Sequence, residues 1–143
     1  MSIDRFTGEH DFLSNFHPST ISVEGNLYRT VEHAYQALKS PDEDVRKTIR
    51  EAGTPSQAKK LGRCILIRND WDQVREGVML DLLRKKFENP FLAEKLLSTG
   101  DEELIEGNNW NDTFWGVCRG VGENKLGILL MQVRDEIRSS EES

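Results

Sequence analysis

The chain is poor in the residues that announce metal centres and disulfide frameworks. Its 143 residues include two cysteines, Cys64 and Cys118, and three histidines, His10, His17 and His33. Two widely separated thiols fit reduced, half-buried side chains better than a stapled scaffold. No zinc spacing is present and neither thiol looks like a nucleophile, so no metal and no cofactor is expected. No apolar run approaches the roughly 20 residues that cross a bilayer, and Met1-Ser2-Ile3-Asp4-Arg5 lacks an apolar signal region. These absences point to a cytoplasmic protein with no membrane partner. A basic excess is missing too: 19 Lys+Arg stand against 25 Asp+Glu, a net charge of -6. That argues against coating nucleic acid through many phosphate contacts, yet leaves room for a small basic pocket that takes one nucleotide. There is no internal repeat, P-loop or Ser-His-Asp order. Gly120-x-Gly122 does not follow a strand of a βαβ unit and is no dinucleotide fingerprint.

What is present is one domain's length of chain, 36% hydrophobic and 31% charged. Ile21-Ser22-Val23 and Leu27-Tyr28-Arg29 alternate around Glu24-Gly25-Asn26 and predict a β-hairpin. Phe6, Phe12, Leu13 and Phe16, among turn formers, predict a strand or loop packed on helices. Ser40-Pro41-Asp42-Glu43 and Thr54-Pro55-Ser56-Gln57 each offer a cap, a first-turn proline and a capping-box partner, with Gly53 and Gly62 as stops. Arg63 to Arg68 reads as extended, with Ile65 and Ile67 on one side. A long helix follows from about Asp72 to Phe87, with Val74, Val78, Leu82 and Leu83 inward. Asn89-Pro90 caps the next helix, which ends near Gly100. Leu104-Ile105-Glu106 can return to the sheet. The last helix runs from Asn124 to Ile137, with Leu126, Leu129, Leu130 and Val133 inward, and Ser139 to Ser143 reads as a frayed acidic tail. The sum is a helix-dominated α+β domain with a small sheet.

The most informative stretch is Thr30 to Lys39. As a helix it sets Glu32, Gln36 and Lys39 at i, i+4 and i+7, within about 60° of one another on the wheel. Val31, Ala34, Tyr35 and Leu38 form the apolar stripe, centred about 100–120° away. The polar trio then flanks the core, where a carboxylate, an amide and an amine can line a pocket; the plainer alternative is a solvated stripe. A carboxylate beside a partly desolvated lysine suits acid–base and covalent chemistry on a sugar carbon. His33 lies off that trio, as a surface residue or a structural hydrogen-bonding group.

Three further clusters carry polar or aromatic groups. Asn15, between Phe12 and Phe16, is either a ligand contact or a backbone cap. Lys59 and Arg63 share a helix face that binds phosphate or is merely solvated. Asn109-Trp110-Asn111-Asp112-Thr113-Phe114-Trp115-Gly116 sets two tryptophans around an aspartate. Trp110 and Trp115 either plug the core or stack on a base, and Asp112 can hold a ribose hydroxyl or steady a developing positive charge.

Taken together these segments resemble the NADAR family. The resemblance rests on Phe12-Leu13-Ser14-Asn15-Phe16, Thr30-x-Glu32-His33-Ala34-Tyr35-Gln36-x-x-Lys39, Ala58-Lys59-x-x-Gly62-Arg63 and Asp112-x-x-Trp115-Gly116. Gly122-x-Asn124-x-Leu126-Gly127-x-Leu129-Leu130-Met131 completes it, in order, over nearly the whole chain. It implies one domain over residues 1–138, followed by the acidic tail of 139–143. The activity implied is cleavage of an N-glycosidic bond, either in an aminopyrimidine riboside phosphate of early riboflavin synthesis or between ADP-ribose and guanine in nucleic acid. It implies Lys39 as the amine that forms a Schiff base with the ribose, Glu32 as acid and base, and Asp112 in support. Asn15, His33, Gln36 and Gly116 then face the substrate, Lys59 and Arg63 its phosphate, and Trp110 or Trp115 its base or sugar. No oligomeric state is implied. The reading from another class is a non-catalytic ADP-ribose or nucleotide reader, for which a reactive amine would be superfluous.

Overall fold

The computed structural model describes residues 1–142. In chain order its elements are β1 (Ser2–Ile3), a 3-10 helix (Gly8–Leu13), β2 (Ile21–Val23), β3 (Asn26–Tyr28), α1 (Val31–Leu38), α2 (Glu43–Arg50) and α3 (Pro55–Gly62). Then follow α4 (Trp71–Lys86), α5 (Pro90–Ser98), β4 (Glu103–Leu104), β5 (Gly107–Asn108), β6 (Val117–Cys118) and α6 (Lys125–Glu142). This is the expected helix-dominated α+β fold. The chain divides into two compact units: residues 15–86, and residues 1–14 together with the chain from Phe87 onward.

The unit of residues 15–86 is built by local signals. Glu24 and Gly25 both take positive φ, 52° and 83°, as the two-residue turn of a β-hairpin requires. The turn is thus one residue shorter than expected, and Val23 pairs with Asn26. Arg46 of α2 holds the hairpin by an ion pair to Glu24 at 2.9 Å. The cap of α2 is Asp42, whose carboxylate accepts the backbone N–H groups of Asp44 and Val45. Ser40, the expected cap, instead accepts the N–H of Asp42 and so turns the chain one step earlier. Thr54 caps α3 as expected, accepting the N–H of Gln57.

Helix α1 packs against α2, α3, α4 and β3. It is therefore not amphipathic in the expected sense: all eight residues from Val31 to Leu38 are buried, polar ones included. On α4, Trp71, Met79, Leu82 and Leu83 are buried, while Val74 and Val78 are half-buried. Residues 63–68 form no strand; Leu66 and Ile67 are exposed, because no neighbouring strand offers them a sheet. The segment is tied down by the N–H of Arg68, which donates to the carbonyl of Lys39.

In the other unit, β1 pairs in parallel with β4, and β5 in parallel with β6. The expected return to the sheet is thus Glu103–Leu104, shifted by one residue. The aromatic start of the chain is the 3-10 helix, with Phe12 and Leu13 buried. Asn89 caps α5 through Phe91 and Leu92. Helix α6 buries Leu126, Leu130 and Val133, leaves Leu129 half-buried, and carries on through residues 139–142, the stretch expected as a tail. Ser143 lies outside the described residues. Asn124, at φ 54°, works as a peptide mimic. Its amide donates to the carbonyl of Leu104 and its oxygen accepts the N–H of Glu106, both at 2.9 Å. Cys64 is exposed and Cys118 buried, both unpaired. No described helix is long and apolar enough to cross a membrane.

Candidate active site

The site is assembled on α1. Thr30, in extended conformation, ends the hairpin strand and accepts the N–H of His33 on its Oγ1, which starts the helix. The His33 ring is fully buried and doubly engaged. Its Nε2 lies 3.0 Å from the carbonyl of Ala52 and its Nδ1 2.8 Å from Thr30 Oγ1. A carbonyl only accepts, so Nε2 carries the proton, and Nδ1 accepts from the threonine hydroxyl. Burial, with Arg29 nearby, keeps the ring below its ordinary pKa, and therefore neutral. Both ring nitrogens of His33, expected to face substrate, are thus engaged within the fold.

Glu32 is 7% exposed and Gln36 4%. One turn apart, they are joined by a 2.6 Å hydrogen bond from Gln36 Nε2 to Glu32 Oε2. The backbone N–H of Glu32 donates to the carbonyl of Asn15. This closes the open end of α1 and brings the Asn15 loop beside the acid. Asn15 Nδ2 reaches Met79 Sδ at 3.6 Å, while its Oδ1 is buried with no hydrogen-bond partner among the described residues. A buried amide oxygen in that state awaits a donor.

Lys39 continues the helical turn as the C-cap of α1. It is half-buried, with Nζ 5.5 Å from the centroid of the Tyr35 ring. Tyr35 in turn lies on Trp71, centroid to centroid 5.1 Å. Burial is the chief cause that lowers the Lys39 pKa from 10.5. Glu32 pulls it back up, and Arg63, Lys59 and Arg75 push it further down. Four charged groups thus act on one amine: Glu32 from α1, Lys59 and Arg63 from α3 and its cap, and Arg75 from α4; Gln36 bonds to the first of them. Arg75 escapes the sequence reading because α4 shows it as one more polar residue. Only its neighbourhood with Lys39 gives it meaning.

Asp112, Trp110, Trp115 and Gly116 belong to the other unit, where they form a group of their own. Asp112 Oδ1 accepts the backbone N–H groups of Phe114 and Trp115, at 3.2 and 2.9 Å, so the carboxylate shapes its own loop. Asn108 completes that loop, accepting from the N–H groups of Trp110 and Asp112. Trp115 is half-buried, edge-on to Phe114 at 4.9 Å, whereas Trp110 is 54% exposed. Gly116 is buried against Glu106 and Asn108, which leave no space for a Cβ. Among the described residues, no three His, Cys, Asp or Glu side chains gather as a metal ion would require.

One helix and its cap thus carry a buried acid bonded to an amide and a half-buried amine whose pKa is lowered. Known proteins similar to this chain in sequence and fold are named N-glycosidases. An N-glycosidase of Nostoc punctiforme is 44% identical over 134 residues, covering 89% of this chain and 85% of that protein. N-glycosidase YbiA of Escherichia coli strain K12 is 40% identical over 129 residues, 87% of this chain and 80% of that one. A riboflavin biosynthesis protein of Vibrio vulnificus is 41% identical over 90% of this chain, which spans 36% of that longer protein. The NMR structure of E. coli YbiA matches with a TM-score of 0.87 at 35% identity, covering 99% of this chain and 86% of that one. The class so defined is that of the N-glycosidases, which are hydrolases. The NADAR domain family matches residues 4–138, and the chain belongs to that family.

Proposed function

We propose that this enzyme hydrolyses the bond between the anomeric carbon of a phosphorylated ribose and a nitrogen base, with Lys39 as nucleophile and Glu32 as acid and base. The observation that carries this reading is the Lys39 amine: burial and three cations favour its neutral form, and a buried carboxylate stands on the same helix to take its proton. Proton transfer from the Lys39 ammonium to Glu32 yields a neutral amine and a neutral acid together. The amine forms a bond to C1′ as the C1′–N bond breaks, and Glu32 returns the proton to the departing nitrogen. Loss of an N–H proton opens the sugar to a Schiff base, the ring oxygen taking that proton. Water activated by Glu32 then adds to C1′ and Lys39 leaves, free for another turn.

Arg63, Lys59 and Arg75 suit a phosphate on the sugar, and the buried Oδ1 of Asn15 suits a hydroxyl or amino donor. The favoured substrate is an aminopyrimidine riboside 5′-phosphate, in keeping with the name of the Vibrio relative. ADP-ribosyl-guanine is the competing one. The expected parts of Asp112, Trp110 and Trp115 in substrate contact belong to the same proposal, supported by the family resemblance alone. Two unpaired cysteines favour a cytoplasmic setting.

The experiment is incubation with each substrate, with and without borohydride. Turnover, with a reduced adduct mapped to Lys39, supports the proposal. Tight binding without turnover or adduct replaces it with a reader of ADP-ribose.

A further inference from the structure

We infer that Gln36 is a positioning residue: its amide, clamped by Gly62, aims the Glu32 carboxylate and makes no contact with substrate. The inference rests on the N-glycosidase reading of the site. It also revises the expectation that Gln36 binds substrate.

The argument starts from space. A Cβ built on Gly62 would collide with Gln36 Oε1 and stand 2.7 Å from its Cδ and 3.2 Å from its Cβ. The whole side-chain amide is therefore laid against the bare backbone of Gly62 at the end of α3. Its Oε1 is buried with no hydrogen-bond donor among the described residues. What it faces instead is the glycine Cα, a place for a weak C–H···O contact at most. An amide pressed on that side has one way to point. Turned over, its oxygen would confront Glu32 Oε2 at 2.6 Å, acceptor against acceptor. The N–H is thus committed to the carboxylate.

That commitment shapes Glu32. A charge-assisted hydrogen bond away from water is short and strong, and it favours the ionised acid. It also removes rotamer freedom from a carboxylate that must face a sugar carbon on one side and the Lys39 amine on the other. Gln36 is 4% exposed, gives one amide N–H to Glu32 and lays its acceptor against Gly62, so its amide is fixed within the fold. Gly62 then has a use beyond ending α3, since any larger residue there displaces the amide.

The test compares Gln36→Leu, Gln36→Met, Gly62→Ala and the Gln36→Leu/Gly62→Ala double variant, with the aminopyrimidine riboside 5′-phosphate as substrate. Thermal melting checks that each is folded. Each Gln36 variant is expected to lose about tenfold or more in kcat, with KM changed little, and the acidic limb of the pH profile is expected to move upward. Because Gly62 acts only through the amide, the double variant should be no slower than Gln36→Leu alone. Independently of any turnover, the Glu32 carboxyl, followed by 13C NMR, should titrate at higher pH in Gln36→Leu and Gln36→Met than in the wild type. A raised KM at unchanged kcat would make Gln36 a substrate contact and overturn the inference. So would a Glu32 titration that does not move. If the wild type neither turns over nor forms the Lys39 adduct, the catalytic reading falls, while the Glu32 titration still decides the part of Gln36.

Discussion

The backbone N–H of Arg68 donates to the carbonyl oxygen of Lys39 across 2.8 Å. The N–H of Lys39 reaches back to the carbonyls of Gln36 and Ala37. The main chain of the candidate nucleophile is thus gripped on both sides of its Cα. The exposed segment 63–68 leaves from Arg63, near the amine, and returns to the carbonyl of the same lysine. Its apolar tip at Leu66 and Ile67 is held without a sheet.

Lys39→Met should abolish both turnover and the borohydride adduct, yet raise the melting temperature at pH 7. The sign follows from linkage. The folded-state pKa lies below 10.5, so between that lowered value and 10.5 the unfolded chain holds more protons, and stability rises with pH across this window. Below the window the burial cost of the charged amine is carried in full, and methionine removes it. Calorimetry of the two proteins checks this, and a lower melting temperature in the variant would contradict it.

Arg63→Ala should move the amine the other way. Arg63 lowers the Lys39 pKa, so its loss shifts that pKa up toward 10.5. The limb of the pH–rate profile that reports deprotonation of Lys39 is expected to move to higher pH, with kcat at pH 7 reduced. A profile displaced to lower pH would refute the assignment.

Glu32→Gln keeps the shape of the side chain and removes its proton chemistry. The expected loss in kcat is about 10²–10⁴-fold, the usual contribution of a placed acid or base. Wild-type rates in this variant, measured under saturating substrate, would remove Glu32 from the mechanism.

His33 sets an acid limit on stability. Its folded-state pKa is lowered from 6.5, so its neutral buried form contributes fully above pH 6.5. That contribution falls away as the pH drops from 6.5 through the lowered value, because the unfolded chain takes the proton first. Melting temperature against pH should fall across this range. At the start of the same helix, Thr30→Ala removes the cap and the partner of His33 Nδ1 together, and is expected to cost about 1–2 kcal/mol in a urea titration.

The elements that could be read from sequence were those whose signals are local. Thr54-Pro55 and Asn89-Pro90 start helices because a side-chain oxygen and a first-turn proline act within one turn of chain. Glu24-Gly25 turns the hairpin for the same reason. Residues 63–68 alternate like a strand, but alternation says nothing of a partner, and the described residues form no strand beside them. Helix α1 misled in a different way. Periodicity sets Glu32, Gln36 and Lys39 at the edge of the core and leaves His33 either at the surface or in a structural hydrogen bond, whereas Glu32, His33 and Gln36 are all buried with specific hydrogen-bonding partners. That Glu32 acts on the charge of Lys39 agrees with their spacing. Arg75 was not legible, since its importance comes from α4 passing beside α1, a tertiary fact with no counterpart in a helical wheel.

A helix with a wet side can accept new residues there at little cost, and proteins drift along such sides. Helix α1 has none, because every one of its eight positions is enclosed. A saturation library over residues 31–38 should therefore yield almost no survivors on any face. Any retuning of this enzyme toward a different nitrogenous leaving group would have to be written into the surrounding segments, with the helix itself left as found.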